Sequence, residues 1–269
     1  MALHRKWPAL EALAPDIAIV AECDTRARLR ARGVAIQPSR MAWTSGRAFK
    51  GLAVIAFPPY RLRVHPLHDP ALAHVLPVEV SGAGLRFNVV GVWAQNASAG
   101  LRTKAEPGPF NRALDRYGHW IRSRPTLVGG DFNNHHFWDR QGHAINFEEN
   151  LARCRRLGLE SAYHLARRER FGLETLPTHY WRDRRIDGPT YHIDYLFFSA
   201  GWRRRFRRFG VGDFDGFCGP GLSDHAPLVA DFDAGRGARR NRKPFPEWLL
   251  PVRKRSAISA APLNGARAP

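Results

Sequence analysis

The stretch Leu222-Ser223-Asp224-His225-Ala226-Pro227-Leu228, taken with Gly129-Gly130-Asp131-Phe132-Asn133 upstream, decides how this chain folds and what it works on. Both stretches set carboxylate, amide or imidazole groups beside an apolar strand, where a rigid backbone holds reacting atoms in register. An Asp or Asn alone would carry little weight, because both are common in turns and helix caps. The weight comes from two further acids in like settings: Glu22 after Asp16-Ile17-Ala18-Ile19-Val20-Ala21, and Asp194 within His192-Ile193-Asp194-Tyr195-Leu196-Phe197-Phe198. A carboxylate inside an apolar strand needs a partner to offset its burial. Strand-associated carboxylates gathered with one histidine point to a metal-assisted phosphoester site.

Outward from these blocks, residues 7–13 have the pattern of a short amphipathic helix, ended by Pro15-Asp16 before the strand that delivers Glu22. Residues 51–57, 85–93, 126–129, 192–198 and 227–232 are predicted strands, and the apolar spacing over 110–122 and 145–157 predicts helices. Several strands are near-continuously apolar and alternate with helices, which predicts an α/β fold with sheets buried on both faces.

In order along the chain, the blocks PDIAIVAECD, KGLAVIAF, FNVVGVWAQN, LVGGDFNN, YHIDYLFFS and SDHAPLVADF resemble those of the endonuclease/exonuclease/phosphatase superfamily, the DNase I-like proteins. The resemblance spans about 15–232, and six blocks in the right order and spacing are far more specific than any one of them. It implies a DNase I-like four-layer α/β sandwich, two packed mixed β-sheets flanked by helices. It also implies a Mg2+-dependent hydrolase acting on ester bonds, with Mn2+ as an alternative ion. Glu22 matches the metal-binding glutamate of the family, Asp224 is the second candidate ligand, and Asp131 is expected to contact a second ion or orient the attacking water. His225 is expected at the phosphate, as general base or charged donor, with Asp194 fixing its tautomer. Asn133 would donate to the phosphate or developing oxyanion, and Asn96 would orient Asp131. Where Trp93 falls the family often has tyrosine or histidine, so Trp93 either stacks on a base or packs. Family members open with an apolar strand ending in Trp-Asn, and this chain begins after that point. The N-terminal strand is therefore expected to be missing because the start was placed too late and Met1 is an internal methionine; intact mass of the natively expressed protein checks this.

The chain has 269 residues, 44% of them hydrophobic, enough for a sizeable core. Residues 1–234 are expected to form one catalytic domain. Residues 235–269 form a basic, Pro/Ala/Arg-rich tail, expected to be largely disordered apart from 244–252, whose Phe245, Trp248, Leu249 and Leu250 are apolar enough to dock. Forty-two Lys and Arg against 24 Asp and Glu give a formal charge of +18, which points to a polyanionic partner, DNA or RNA. Arg182, Arg184 and Arg185, interleaved with His179, Tyr180 and Trp181, are the expected single-strand or flipped-base contact region. Arg203, Arg204, Arg205, Arg207 and Arg208 are expected around a helix, half of them on the nucleic-acid backbone; His135 and His136 suit a solvated loop. Cys23, Cys154 and Cys218 form no C-x-x-C pair and are expected to be reduced. No apolar run reaches membrane-span length and no export-signal core is evident, so no membrane and a cytoplasmic location are expected; no protein partner is indicated. The alternatives are a phosphatase or phosphodiesterase for a small phosphoester or lipid head group, and a weakly catalytic nucleic-acid-binding protein.

Overall fold

A computed structural model of the chain describes residues 3–46, 49–94, 108–143, 145–181, 185–235 and 249–251. The elements run α1 (Leu3–Ala12), β1 (Ile17–Cys23), α2 (Arg26–Ala31), β2 (Met41–Thr44), β3 (Gly51–Ala56), β4 (Arg61–Val64), β5 (Val75–Gly82) and β6 (Leu85–Trp93). After them come α3 (Pro109–Ser123), β7 (Thr126–Asp131), α4 (Phe147–Arg156), β8 (Leu159–Ser161), α5 (Ala162–Arg167), β9 (His179–Tyr180), β10 (Thr190–Tyr191), β11 (Asp194–Ser199), β12 (Phe206–Gly212), β13 (Leu228–Phe232) and β14 (Leu249–Pro251).

The central sheet has the order β4-β5-β6-β7-β11-β8, with β6 and β7 parallel and the other pairs antiparallel. Its outer face carries Val90, Val92, Val128 and Phe197 against Phe110, Leu114 and Tyr117 of α3 and Leu151 of α4. Helix α3 forms here because its apolar residues recur three and four positions apart, giving one stripe for the sheet. On the inner face, Val78 and Val89 meet Leu52 and Val54 of the sheet β1-β3-β2, while Phe198 meets Phe209 and Val211 of the sheet β13-β12-β14. Leu3 and Leu29 cover the far side of β1 and β3 from α1 and α2. The layers are thus helix, sheet, sheet, helix, the four-layer sandwich expected from the sequence. Helix α1 starts four residues ahead of the predicted 7–13 because its first turn buries Leu3 in that outer core.

Several strands escaped the periodicity, β5 and β12 the longest of them. Pro77 lies within β5, one position past the last β4 pair Val64↔Val78, where the sheet can tolerate a missing N–H. The Arg-rich stretch 203–208 is no helix: β12 begins at Phe206, and a bulge between Phe206 and Arg208 breaks the alternation that would mark a strand. Of its arginines, Arg203, Arg207 and Arg208 pair with Glu160, Asp233 and Asp231. Of the tail, Leu249–Pro251 pairs with β12 and Leu249 is fully buried; Phe245, Trp248 and the remainder of 236–269 lie outside the described residues. The expected extra N-terminal strand concerns residues ahead of Met1 and also lies outside them. Among the described residues β1 pairs only with β3 and β13 only with β12, and both strands border a cavity of about 950 Å³ lined by Ile19 and Leu228 together with Glu22, Asp131 and His225.

Candidate active site

Strand β7 ends on Asp131, and its approach depends on a glycine. Gly130 has φ +131°, and a Cβ there would stand 2.0 Å from the carbonyl oxygen of Val92, so only glycine lets β7 lie on β6 in this register. Asp131 faces Asp194 directly across the β7–β11 ladder. Its two carboxylate oxygens accept from the backbone N–H of Asn133 at 2.8 Å and from Asn133 Nδ2 at 2.7 Å. Asn133 adopts φ +45°, which asparagine tolerates better than most residues.

Asp194 opens β11. Its backbone N–H and that of Ile193 both donate to Thr178 Oγ1 at 3.0 Å, and Thr178 is fully buried. The Asp194 Oδ2 stands 2.8 Å from His225 Nδ1. Strand β9 ties the same groups together from the other side: Ala226 N–H donates to Thr178 O and Tyr180 N–H donates to Asp224 O, both at 2.8 Å. Glu22 reaches the cleft through a bulge in β1 between Val20 and Cys23, where its own φ is +57°. Bulges re-aim side chains in this way, and a left-handed glutamate is strained. Its carboxylate pairs with Lys50 Nζ at 2.5 Å, and Lys50 lies over the Trp93 ring.

Burial pushes the Asp131 carboxyl up to about 7, aided by the charges of Asp194 and Glu22 and opposed by His225. Burial works against charge on His225, yet the Asp194 charge and hydrogen bond, with Asp131 and Asp224, raise it to about 10. Near neutrality His225 is therefore an imidazolium, a charged donor rather than a proton acceptor.

Several expected contacts have other duties. Trp93 is 2% exposed, packed beneath Lys50 and edge-on to His74, which leaves no face for a base. Tyr180 is buried against Phe214, so it packs as well. Trp181 is exposed, and Arg185 pairs with Asp187; Asn96, Arg182 and Arg184 lie outside the described residues. His135 and His136 are not a solvated pair: His135 Nε2 is 3.1 Å from the buried Glu174, and His136 Nδ1 is 2.9 Å from Asp139. The adjacent Asn134 joins Asn150 and Asn111 in a buried amide chain that fixes the loop after Asp131 to α4 and α3. Sequence reasoning passed over Thr178, Lys50 and Asn134. The Asn133-Asn134 doublet was a local sign of Asn134 alone. The three cysteines are buried and none is in a disulfide.

The fold has counterparts among solved structures. A 3' phosphatase from Neisseria bound to product DNA hairpin superposes with TM-score 0.58 at 18% identity, over 86% of this chain and 95% of that one. An AP endonuclease from Leishmania major gives 0.59 at 14%, over 84% and 80%, and an AP endonuclease from Archaeoglobus fulgidus 0.56 at 16%, over 86% and 94%. The fold of this chain is the one these phosphatase and AP endonuclease structures share. No protein-family model and no curated protein sequence matches the chain.

A divalent cation fits the residues present. Asp131 and Asp194 can each offer a carboxylate oxygen within 4.8 Å of the other. Like charges facing each other across the β7–β11 ladder, with Asp131 pushed up by burial, form a site that a cation would relieve. Carboxylate oxygens predominate, the donor set that magnesium and manganese prefer.

Proposed function

We propose that this protein is a metal-dependent phosphodiester hydrolase acting on DNA or RNA by in-line attack of an activated water. The observation that carries the reading is the convergence of the Asp194–His225 pair on Asp131 in one cleft, with Glu22 turned into it by the β1 bulge. Glu22 and Asp224 would hold the ion, Glu22 sharing its carboxylate with Lys50. When bound, the ion offsets the charge of the phosphate and lowers the pKa of a bound water.

The chain's own residues supply the rest. Asp131, with a carboxyl poised at about 7, accepts the proton of the attacking water, a task suited to a base whose pKa lies near the working pH. Asn133 fixes both Asp131 oxygens, so its amide serves the base before it serves a phosphate. The His225 imidazolium donates to a phosphate oxygen as charge accumulates in the transition state, and Asp194 holds the Nδ1–H that keeps it oriented. The charge of +18 and the exposed Trp181 favour a polymeric, base-bearing substrate.

The test is cleavage of supercoiled plasmid, single-stranded DNA and RNA with Mg2+ or Mn2+, with EDTA and His225→Ala as controls. Metal-dependent cutting that falls about 10²- to 10⁴-fold in the variant is expected. Phosphate release from small esters with all three polymers intact would replace the nuclease reading with a phosphatase. Binding without turnover would reduce the protein to a nucleic-acid-binding module.

A further inference from the structure

Beside the carboxylate cleft lies a donor group of different chemistry. His179, Asp224 and His225 can each offer one atom, all within 4.8 Å of one another. The backbone bridges His179 to His225, and their rings are 4.5 Å apart. His179 Nε2 is 3.9 Å from Asp224 Oδ2, too far for a hydrogen bond. His179 Nδ1 is buried with no hydrogen-bond partner among the described residues. Because His225 Nδ1 is engaged by Asp194, Nε2 is its available donor. Two donors on one zinc ion, at bond lengths of about 2.0–2.2 Å, stand roughly 3–3.5 Å apart. The half-exposed Asp224 side chain closes that gap by a small rotation.

We propose that His179, Asp224 and His225 form a transition-metal site that takes zinc-class ions in preference to magnesium, and that its occupation switches hydrolysis off. Two imidazoles and one carboxylate make a borderline donor set, matched to Zn2+ or Co2+ and poorly matched to Mg2+, which prefers oxygen. Three protein ligands with an open side toward solvent leave a position for water. An ion there displaces the Nε2 proton of His225 to solvent and occupies His225 and Asp224 at once, so the imidazolium no longer faces the phosphate. The binding clause stands on geometry alone, whereas the inhibition clause rests on the hydrolase reading.

The test is titration of the full chain with Co2+ in excess Mg2+, read by visible absorption, followed by displacement with Zn2+. One equivalent of cobalt with nitrogen-ligand bands, displaced by one equivalent of zinc, is expected. His179→Phe and His179→Gln should each weaken binding at least about tenfold; near-UV circular dichroism verifies that each variant is folded. No cobalt band, displacement by Mg2+, or an unchanged band in both variants would overturn the site. In the cleavage assay, stoichiometric Zn2+ should inhibit the wild type and should inhibit each variant far less relative to that variant's own zinc-free rate. Cobalt binding without zinc inhibition would overturn the inhibition clause. Absence of any Mg2+-supported cleavage would instead sink the hydrolase reading, and the cobalt spectrum would still decide the metal site.

Discussion

Two residues set the pH behaviour of the site. In the proposed mechanism free Asp131 must lose its proton to act, and it is held up to about 7; His225 must keep its proton, and it is held up to about 10. Cleavage at limiting substrate should therefore rise as pH passes through about 7, level off, and fall as pH passes through about 10; saturating metal moves the acid limb lower. Asp194→Asn should draw the alkaline limb toward neutrality, and a pH–rate profile decides it. Stability follows the same groups. His225 is raised above its ordinary 6.5, so its contribution is complete below that value and is lost as pH climbs through about 10. The thermal midpoint of wild type should drop across that window, and that of Asp194→Asn should drop less. Thr178 matters in another way: Thr178→Val keeps the shape but leaves the N–H groups of Ile193 and Asp194 without their acceptor. A cost of about 1–3 kcal/mol in urea unfolding is expected, with a loss of activity because Asp194 is no longer fixed. Thr178 and Lys50 were invisible in the sequence because a hydroxyl that accepts two backbone bonds, or a lysine that meets a glutamate through a bulge, leaves no local pattern. Trp93 and Tyr180 misled for the opposite reason, since aromatic character says nothing about which face is covered.

At the scale of elements, the chain was legible wherever one face or both faces are uniformly apolar. Strand β6 was predicted at 85–93 because its central and C-terminal residues are buried, and α3 because its stripe has a regular helical spacing. Strands β5 and β12 were not legible because Pro77 and the bulge at Phe206 and Arg208 remove the usual marks, and pairing partners distant in sequence supply what local propensity lacks. The glycine pair before Asp131 was noticed only as a flank of the motif, yet it carries the geometry. Gly130→Ala combines φ +131° with a 2.0 Å approach to Val92 O, so it should cost more than the ~1–3 kcal/mol of backbone strain alone and displace Asp131. Gly142→Ala, also at positive φ but with nothing within 4 Å, should cost only about 1–2 kcal/mol and leave activity in place. Denaturant midpoints and cleavage rates of the two variants measured side by side separate a clash at the β6–β7 seam from the general penalty of a left-handed alanine.

Across the whole molecule, the order of six blocks made the sandwich legible, but the substrate is written in charge rather than topology. Forty-two basic residues face 24 acidic ones, so even complete one-to-one pairing leaves 18 cations over. Pairing is already extensive: Asp24 serves Arg28 and Arg32, and Arg153, Arg155, Arg203 and Arg207 each have a carboxylate. Asp131 and Asp194 are meanwhile committed to Asn133 and His225. The surplus is therefore available to a polyanion, and it makes a nucleic acid and a small phosphoester distinguishable without any knowledge of sequence preference. A duplex that meets roughly 6–10 of these cations should lose about 10³–10⁵ in affinity between 50 and 200 mM salt, with a slope of about −0.9 per phosphate contact. A small ester contacting only the cleft should show a far shallower dependence. Fluorescence anisotropy of a labelled duplex and a single-stranded oligonucleotide, with hydrolysis of a chromogenic phosphodiester at the same salt concentrations, checks this directly. A shallow slope for both polymers would mean that the excess charge has no part in substrate binding.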